Sequence, residues 1–332
     1  MPELLVLVNP LSGRGRALEI GKAATAELIR LGVACRTVIS PDLQALKAVA
    51  AAAVAEAAAA TLTNAAAPAP PRGERGGVAV VGGDGTIREI GAVLLSTGIP
   101  LGVIPAGTGN GFARSLGLPR RVRGACKVIA TGSSGDVDAA LAHFAPLPDE
   151  PAGADMDAAV SPFTRPFFNV MGAGLDTLVA ERVKTYSRLR GLPAFVVGTA
   201  ALYSATPPWR FRITWGSSEL ELSGLVAATA NGSYYGKGFQ IVPGADPRDS
   251  RLDLGIIPPL RLIRLAAALP YFFSGGKWGG SPLTIAREIE KVRIESTPPA
   301  PVHADGDPVG QTPVEISVLP GAIRVFLPSL DC

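Results

Sequence analysis

Two kinds of apolar pattern alternate along the first third of the chain. Leu4–Val8 is an unbroken apolar run of strand length. A helix is predicted over Ala17–Leu31, a second strand over Ala34–Ser40 and an alanine-rich helix over Leu43–Leu62. Asn64–Gly77, rich in Ala, Pro and Gly, reads as a loop. Val78–Val81 is strand-like, Thr86–Ser96 helical and Leu101–Ile104 strand-like again. Short apolar strands that take turns with helices predict a parallel sheet with helices on its faces.

The character changes after Gly132. Ala145–Pro166, with its Pro, Ala and Asp, reads as a surface loop. Phe211–Trp215 and Glu219–Leu222 alternate apolar and polar residues, as half-buried antiparallel strands do. Leu252–Ile257, Lys291–Glu295, Val314–Leu319 and Ala322–Leu327 extend that pattern, and two helices, Asp176–Tyr203 and Leu260–Phe273, interrupt it. The expected fold class is α/β: an N-terminal parallel-sheet domain followed by a β-rich, antiparallel, sandwich-like domain.

Composition narrows the partners. The length of 332 residues suffices for two cores, and a net charge of +3 predicts no nucleic-acid binding. Cys35, Cys126 and Cys332 form no CxxC pair, which argues against a disulfide framework or a zinc site and fits a reducing cytoplasm. His143 and His303 are too few for a histidine-based metal centre. No signal peptide is expected, and the alanine-rich run, with Lys47 and Glu56 in it, reads as a water-soluble helix rather than a membrane span.

Three glycine-rich segments carry the chemistry. In the first, Val78–Val81 runs into Gly82-Gly83-Asp84-Gly85-Thr86 and a helix. Glycines let the backbone approach a ligand closely, and a helix N-terminus offers free N–H groups to phosphate. Asp84 adds a carboxylate where Mg²⁺ or a hydroxyl nucleophile must be managed. Thr86 and Glu89 also match a structural capping box, which accounts for those two residues but not for the glycines and Asp84. The second segment, Pro105 to Arg114, contains Gly107, Thr108, Gly109 and Asn110. The third, Asn9-Pro10-Leu11-Ser12-Gly13-Arg14-Gly15-Arg16, follows the first strand. Loops after parallel strands share one sheet edge, where ligands bind. Three such loops, one with paired arginines, point to a polyphosphate.

Together NPLSGRGRA, GGDGTIRE and PAGTGNGFAR resemble the diacylglycerol kinase catalytic-domain family, which includes bacterial lipid kinases and sphingosine and ceramide kinases. FNVMGAGLD, from Phe168, resembles the opening of that family's second domain, and Ala304-Asp305-Gly306-Asp307 resembles its C-terminal Asp-Gly-Glu. The resemblance implies an ATP-binding domain over residues 1–134 plus about 318–332, a lipid-binding domain over 135–317, and an active site in the cleft between them. It places Asn9, Ser12, Gly13, Arg14, Arg16, Ser40, Gly82, Gly83, Asp84, Gly85, Thr86, Arg88, Gly107, Thr108 and Asn110 at the nucleotide. It implies ATP and Mg²⁺ as cofactors, Asp307 with Asp84 as the catalytic carboxylates, and Asp138 beside the substrate, although a solvated turn serves Asp138 equally.

Asp246, Asp249 and the Arg251 carbonyl match the family's structural Mg²⁺ loop, with Ser250 in place of the usual Gly and Arg251 in place of Leu; a plain Asx-rich turn is the alternative. Asp307 is one methylene shorter than the family's Glu, while Arg88 and Gly111 replace Asn and Asp. The expected activity is transfer of the ATP γ-phosphate to a lipid hydroxyl of a diacylglycerol, ceramide or sphingoid base. The enzyme is then cytoplasmic and meets the membrane peripherally, with a homodimer left open. A kinase of the NAD-kinase type and a non-catalytic nucleotide- or lipid-binding regulator are the competing readings.

Overall fold

The computed structural model describes residues 3–63, 76–144, 163–186, 192–203, 205–235, 238–277, 281 and 283–329. Most of the two loops expected at Asn64–Gly77 and Ala145–Pro166, and Cys332, lie outside them, and where those loops are described Gly77 and Thr164–Pro166 belong to strands instead. The chain divides into two compact units, Met1–Val137 with Gly321–Cys332, and Asp138–Pro320.

The first unit runs β1 (Leu4–Val8), α1 (Ala17–Arg30), β2 (Cys35–Ile39), α2 (Leu43–Thr63), β3 (Gly77–Gly82), α3 (Asp84–Leu94), β4 (Leu101–Pro105), α4 (Gly111–Ser115) and α5 (Val122–Thr131), and ends in β5 (Ser133–Phe144), which leads into the second unit. Its strands lie parallel in the order β2-β1-β3-β4. Every residue of β1, β3 and β4 is buried, which is why these runs carry no polar alternation. Leu4, Val6 and Val8 pack with Ala24 and Leu28 of α1 and Cys126 and Ile129 of α5. Burial pushes the Cys126 thiol up to about 12, with Glu27 and Cys35 adding to it, so this cysteine is a core residue and not a nucleophile.

The second unit opens with β6 (Thr164–Phe167), β7 (Val170–Gly174), α6 (Leu175–Lys184), α7 (Leu192–Tyr203), β8 (Trp209–Trp215), β9 (Ser218–Gly224) and β10 (Val226–Ala230). A short pair, β11 (Tyr234–Tyr235) and β12 (Phe239–Gln240), precedes β13 (Leu252–Ile257), α8 (Leu262–Ala267), α9 (Leu269–Phe273) and β14 (Thr284–Ile289). The chain then runs through β15 (Lys291–Thr297), β16 (Pro301–Ala304), β17 (Asp307–Gln311) and β18 (Val314–Leu327). An antiparallel sheet in the order β14-β13-β10-β7-β16-β17 shares one core with the antiparallel set β18-β15-β8-β9. Phe211, Ile213, Val292 and Ile294 come to that core from one sheet, and Met171, Ala227, Leu254 and Val302 from the other.

Several element boundaries differ from the sequence expectation for identifiable reasons. The expected helix over Asp176–Tyr203 is two helices. The Thr185 hydroxyl donates to the Arg182 carbonyl at 2.8 Å and closes α6 there. Leu260–Phe273 is likewise two short helices, with Pro270 in the first turn of α9. The two strands expected at the C-terminus are the single strand β18. Its first residues pair antiparallel with β15, and Val325 reaches Leu101 of β4 in parallel.

Candidate active site

The three glycine-rich loops of the first unit emerge on one sheet edge and are fastened to one another. Asn9 Nδ2 donates to Thr86 Oγ1 at 3.0 Å, and Ser12 Oγ lies 3.3 Å from the same oxygen. Ser12–Gly15 forms a single turn in which Gly13 and Arg14 are left-handed, at φ 58° and 63°. A Cβ on Gly13 would stand 2.0 Å from the Ala106 carbonyl oxygen, so the Asn9–Arg16 loop presses directly on the backbone of the Pro105–Arg114 loop. Gly83 and Gly107 make the equivalent contact. A Cβ on Gly107 would meet Gly83 Cα at 2.5 Å. Gly83 itself has φ −94°, an ordinary value, so its requirement for glycine comes from this backbone approach and not from a forbidden dihedral.

The helix behind the GGDGT segment begins three residues earlier than the capping-box pattern implies. Gly83 is the N-cap of α3, and no side chain caps it. Thr86 therefore sits inside the first turn, bonded to Asn9, and Glu89 pairs with Lys47 at 2.8 Å and Arg88 at 3.0 Å. Burial works against the Glu89 charge, but Lys47 and Arg88 outweigh it and hold the carboxyl below the usual glutamate range. Asp84 Oδ1 accepts the Phe112 N–H at 3.2 Å, which ties α3 to α4. Asn110, left-handed at φ 55°, clamps its own loop by accepting the Gly107 N–H and donating to the Gly107 carbonyl. Arg16 donates to the Gly13 carbonyl, the Ser40 hydroxyl accepts the Asp42 N–H, and Thr108 stands exposed.

Of the residues expected at the nucleotide, Asn9, Ser12, Gly13, Thr86, Gly83 and Gly107 thus form one connected cradle. Gly13→Ala is expected to weaken binding of a non-hydrolysable ATP analogue by roughly tenfold or more, about 1.4 kcal/mol or above, because the left-handed backbone and the Ala106 contact both oppose a methyl group. Gly15, at φ 84° with nothing within 4 Å of where a Cβ would stand, is the control, and Gly15→Ala should cost only the dihedral strain. Calorimetric titration of both variants checks this, and equal losses would contradict the close approach.

The remaining carboxylates belong to the second unit. β16 and β17 form a hairpin whose two-residue turn is Asp305-Gly306, at φ 49° and 90°, the geometry Asp-Gly favours. The Asp305 carboxylate accepts three backbone N–H groups, from Phe168, Asn169 and Val170, at 3.0–3.1 Å. It is a structural anchor. Asp307, at the first position of β17, keeps its side chain 43% exposed and pairs with Lys184 of α6 at 3.0 Å. Asp138 is 2% exposed, so it is not a solvated turn residue. Its Oδ2 accepts the Ser250 N–H at 2.7 Å, and its own N–H donates to the Pro247 carbonyl.

Asp138 therefore holds the segment that carries Asp246 and Asp249. Ser250 is left-handed at φ 61°, which is why glycine suits this position. Burial pushes the Asp249 carboxyl up, the Arg251 N–H pulls it down, and the charges of Asp253, Asp246 and Asp138 push it up further. The Arg251 guanidinium pairs with Glu290, while Asp246 pairs with Arg248. Among the described residues no three His, Cys, Asp or Glu side chains converge on a metal position, so an ion held here needs backbone carbonyls as ligands.

Sequence reasoning missed Lys184 and His303. His303 is fully buried, and its Nε2 lies 2.9 Å from Asp176 Oδ2. Its place two residues before Asp305 is the one sequence signal for it. Among the described residues, no helix is long and apolar enough to cross a membrane.

Comparison with known proteins agrees with this arrangement. Residues 3–142 match the diacylglycerol kinase catalytic domain, and residues 169–327 match the YegS C-terminal NAD kinase beta sandwich-like domain. The chain is 30% identical to a diacylglycerol kinase of Mycobacterium tuberculosis (strain ATCC 25618 / H37Rv) over 98% of its own length and 95% of the relative's. It is 29% identical to the "Probable lipid kinase YegS" of Salmonella typhimurium over 76% of this chain and 77% of that one. A crystal structure of a diacylglycerol kinase from Bacillus anthracis str. Sterne shares the fold, with a TM-score of 0.61, 18% identity, and coverage of 98% of this chain and 97% of that one. The chain belongs to the diacylglycerol kinase family of lipid kinases.

Proposed function

We propose that the protein transfers the γ-phosphate of ATP to the free hydroxyl of a lipid. The observation that carries this reading is the cradle of three backbone-packed glycine loops at the uncapped start of α3, with Asp84 in its first turn. Uncapped N–H groups and the arginines of the Asn9–Arg16 loop suit a polyphosphate, and the Asp84 carboxylate suits Mg²⁺. The ion, when bound, neutralises charge on the phosphates. Asp249 and neighbouring backbone carbonyls are the candidates for a second, structural Mg²⁺, which relieves the carboxylates that crowd Asp249.

In this reading the first unit orients the phosphates and the second supplies the lipid. Phosphoryl transfer needs positioning and charge neutralisation more than covalent help. Asp307 takes the proton from the lipid hydroxyl, since Asp305 has its oxygens committed to three N–H groups. The enzyme meets its substrate at a membrane surface from the aqueous side.

The test is direct. Purified protein with ATP, Mg²⁺ and vesicles containing diacylglycerol, ceramide and sphingosine should convert a lipid to its phosphate, read by mass spectrometry of the lipid fraction. A parallel reaction with NAD separates the competing kinase class. Phosphorylation of NAD with none of the lipids modified would overturn the proposal, and so would an absence of ATP consumption.

A further inference from the structure

A buried carboxylate and a buried imidazole meet beside the hairpin that presents Asp307, and the chemistry described above uses neither. Asp176 stands in the first turn of α6, and His303 on β16. Asp176 Oδ2 lies 2.9 Å from His303 Nε2, and Asp176 Oδ1 accepts the Thr177 N–H at 2.9 Å. Gly172 of β7, opposite His303 in the sheet, makes room for the pair. A Cβ on Gly172 would stand 1.8 Å from Asp176 Oδ2 and 2.5 Å from His303 Nε2, so the contact requires glycine there. Stability alone gives no reason for such a pair, since well-packed apolar residues serve a core at least as well.

The other side of the imidazole supplies the reason. His303 Nδ1 accepts the Gly306 N–H at 3.2 Å. A backbone N–H only donates, so Nδ1 carries no proton, and the ring proton sits on Nε2 and is donated to Asp176. Ala304 and Asp307 are the last pair of the ladder, so the strands offer the Gly306 N–H no partner. The Asp305 half of the turn is fastened separately, by its carboxylate and by its own N–H, which donates to the Val170 carbonyl at 2.9 Å. His303 thus holds the half that leads directly into Asp307. Helix α6 meets the hairpin at its other end as well, where Lys184 pairs with Asp307.

We propose that Asp176 and His303 are positioning residues for Asp307. Asp176 fixes the Nε2–H tautomer of His303, the bare Nδ1 holds the Gly306 N–H, and the direction of the Asp307 carboxylate depends on that bond. The inference rests on the reading of Asp307 as the base of a lipid kinase, while the tautomer and the turn bond stand on geometry alone.

Asp176→Asn tests it. The asparagine has one acceptor oxygen for two N–H groups, from Thr177 and His303. With that oxygen on the adjacent Thr177 N–H, the amide NH₂ faces Nε2, and the ring proton moves to Nδ1, against the Gly306 N–H. The chain has two histidines, so the imidazole nitrogens of ¹⁵N-histidine-labelled protein give two sets of signals, and His143→Gln assigns them. The parent should show His303 as the Nε2–H tautomer and Asp176→Asn should show Nδ1–H. In the same folded variant kcat for lipid phosphorylation should fall by roughly tenfold to 10²-fold, the scale of a small misplacement of a reacting group, with KM for ATP unchanged. An unchanged tautomer, or a changed tautomer with parental kcat, would overturn the proposal.

Two further variants do not depend on Asp176→Asn being stable. Asparagine at 303 places its Oδ1 where Nδ1 stands and still accepts the Gly306 N–H, whereas glutamine reaches the Nε2 position and keeps only Asp176. Both variants should lose stability, but His303→Gln should have a kcat at least about fivefold below that of His303→Asn, as expected when only one of them keeps the turn bond. Equal kcat values would assign His303 to packing alone. In the Asp307→Asn background, Asp176→Asn should cause no further loss, because residues that act as a unit are not additive. Losses that multiply would mean that Asp176 does not act through Asp307. A parental kcat in Asp307→Asn itself overturns the base and this inference together, whereas an impaired Asp307→Asn beside a parental Asp176→Asn overturns this inference alone.

Discussion

Asp84→Asn should leave the fold intact and lower lipid phosphorylation by on the order of 10³-fold or more, the scale on which single charged groups act in phosphoryl transfer. The substitution is nearly isosteric, and an asparagine Oδ1 accepts the Phe112 N–H as the carboxylate does at 3.2 Å, so the tie between α3 and α4 persists. What disappears is the negative charge at the uncapped start of α3. Loss of that charge removes the ligand proposed for the catalytic Mg²⁺. Turnover should therefore fall while binding of the Mg²⁺-free nucleotide holds or tightens, since a repulsion with phosphate is relieved. Melting temperature and turnover measured on the same preparation separate chemistry from folding. Near-parental turnover in a folded Asp84→Asn protein would remove Asp84 from the reaction.

The elements of the first unit were legible because their strands are buried on both faces and their loops are written in glycine. Gly13 needs its left-handed backbone, and Gly107 cannot carry a Cβ against Gly83; both requirements are local enough to leave a motif. The misread feature of that region was also local. Thr86 and Glu89 have capping-box spacing, yet the helix starts at Asp84, because a glycine can serve as N-cap and no side-chain oxygen is needed. Thr86 is instead bonded to Asn9, a partner 77 residues away, and spacing along the chain cannot report a bond of that kind.

The second unit was legible as strands and much less as chemistry. The family resemblance already points to Asp307 as the base, but the role of Asp305 follows only from the hairpin register. The two-residue turn directs Asp305 back to the N–H groups of Phe168, Asn169 and Val170, and starts β17 at Asp307. The bond from His303 to Asp176 spans 127 residues, and the one from Lys184 to Asp307 spans 123. Asp138 has the same character, since its partner Ser250 is 112 residues away. Each of these side chains, read alone, is an ordinary polar residue in a turn or on a helix.

The different anchoring of Asp305 and Asp307 leads to opposite expected behaviour. Asp307→Asn should lower kcat by ~10²–10⁴, the usual worth of general-base help, with little change in affinity for ATP or in stability. Its side chain is 43% exposed, and its pair with the 55% exposed Lys184 contributes at most about 1 kcal/mol. Asp305→Asn should do the reverse. An amide offers one acceptor oxygen where the carboxylate offers two, and turns an NH₂ group toward N–H donors. Bonds to a charged group are worth about 1.5–3 kcal/mol, so a loss of about 2–3 kcal/mol is expected, seen as a lower denaturant midpoint with an unchanged m-value. Any loss of activity in Asp305→Asn should then track the unfolded fraction and recover on cooling, whereas the Asp307→Asn defect persists in fully folded protein. Asp307→Glu, which restores the longer carboxylate, should remain active but impaired, because the hairpin and Lys184 are set for the shorter side chain. If Asp307→Asn turns over like the parent in a folded state, the base is another carboxylate. If Asp305→Asn is fully stable yet inactive, the assignments of anchor and base are reversed.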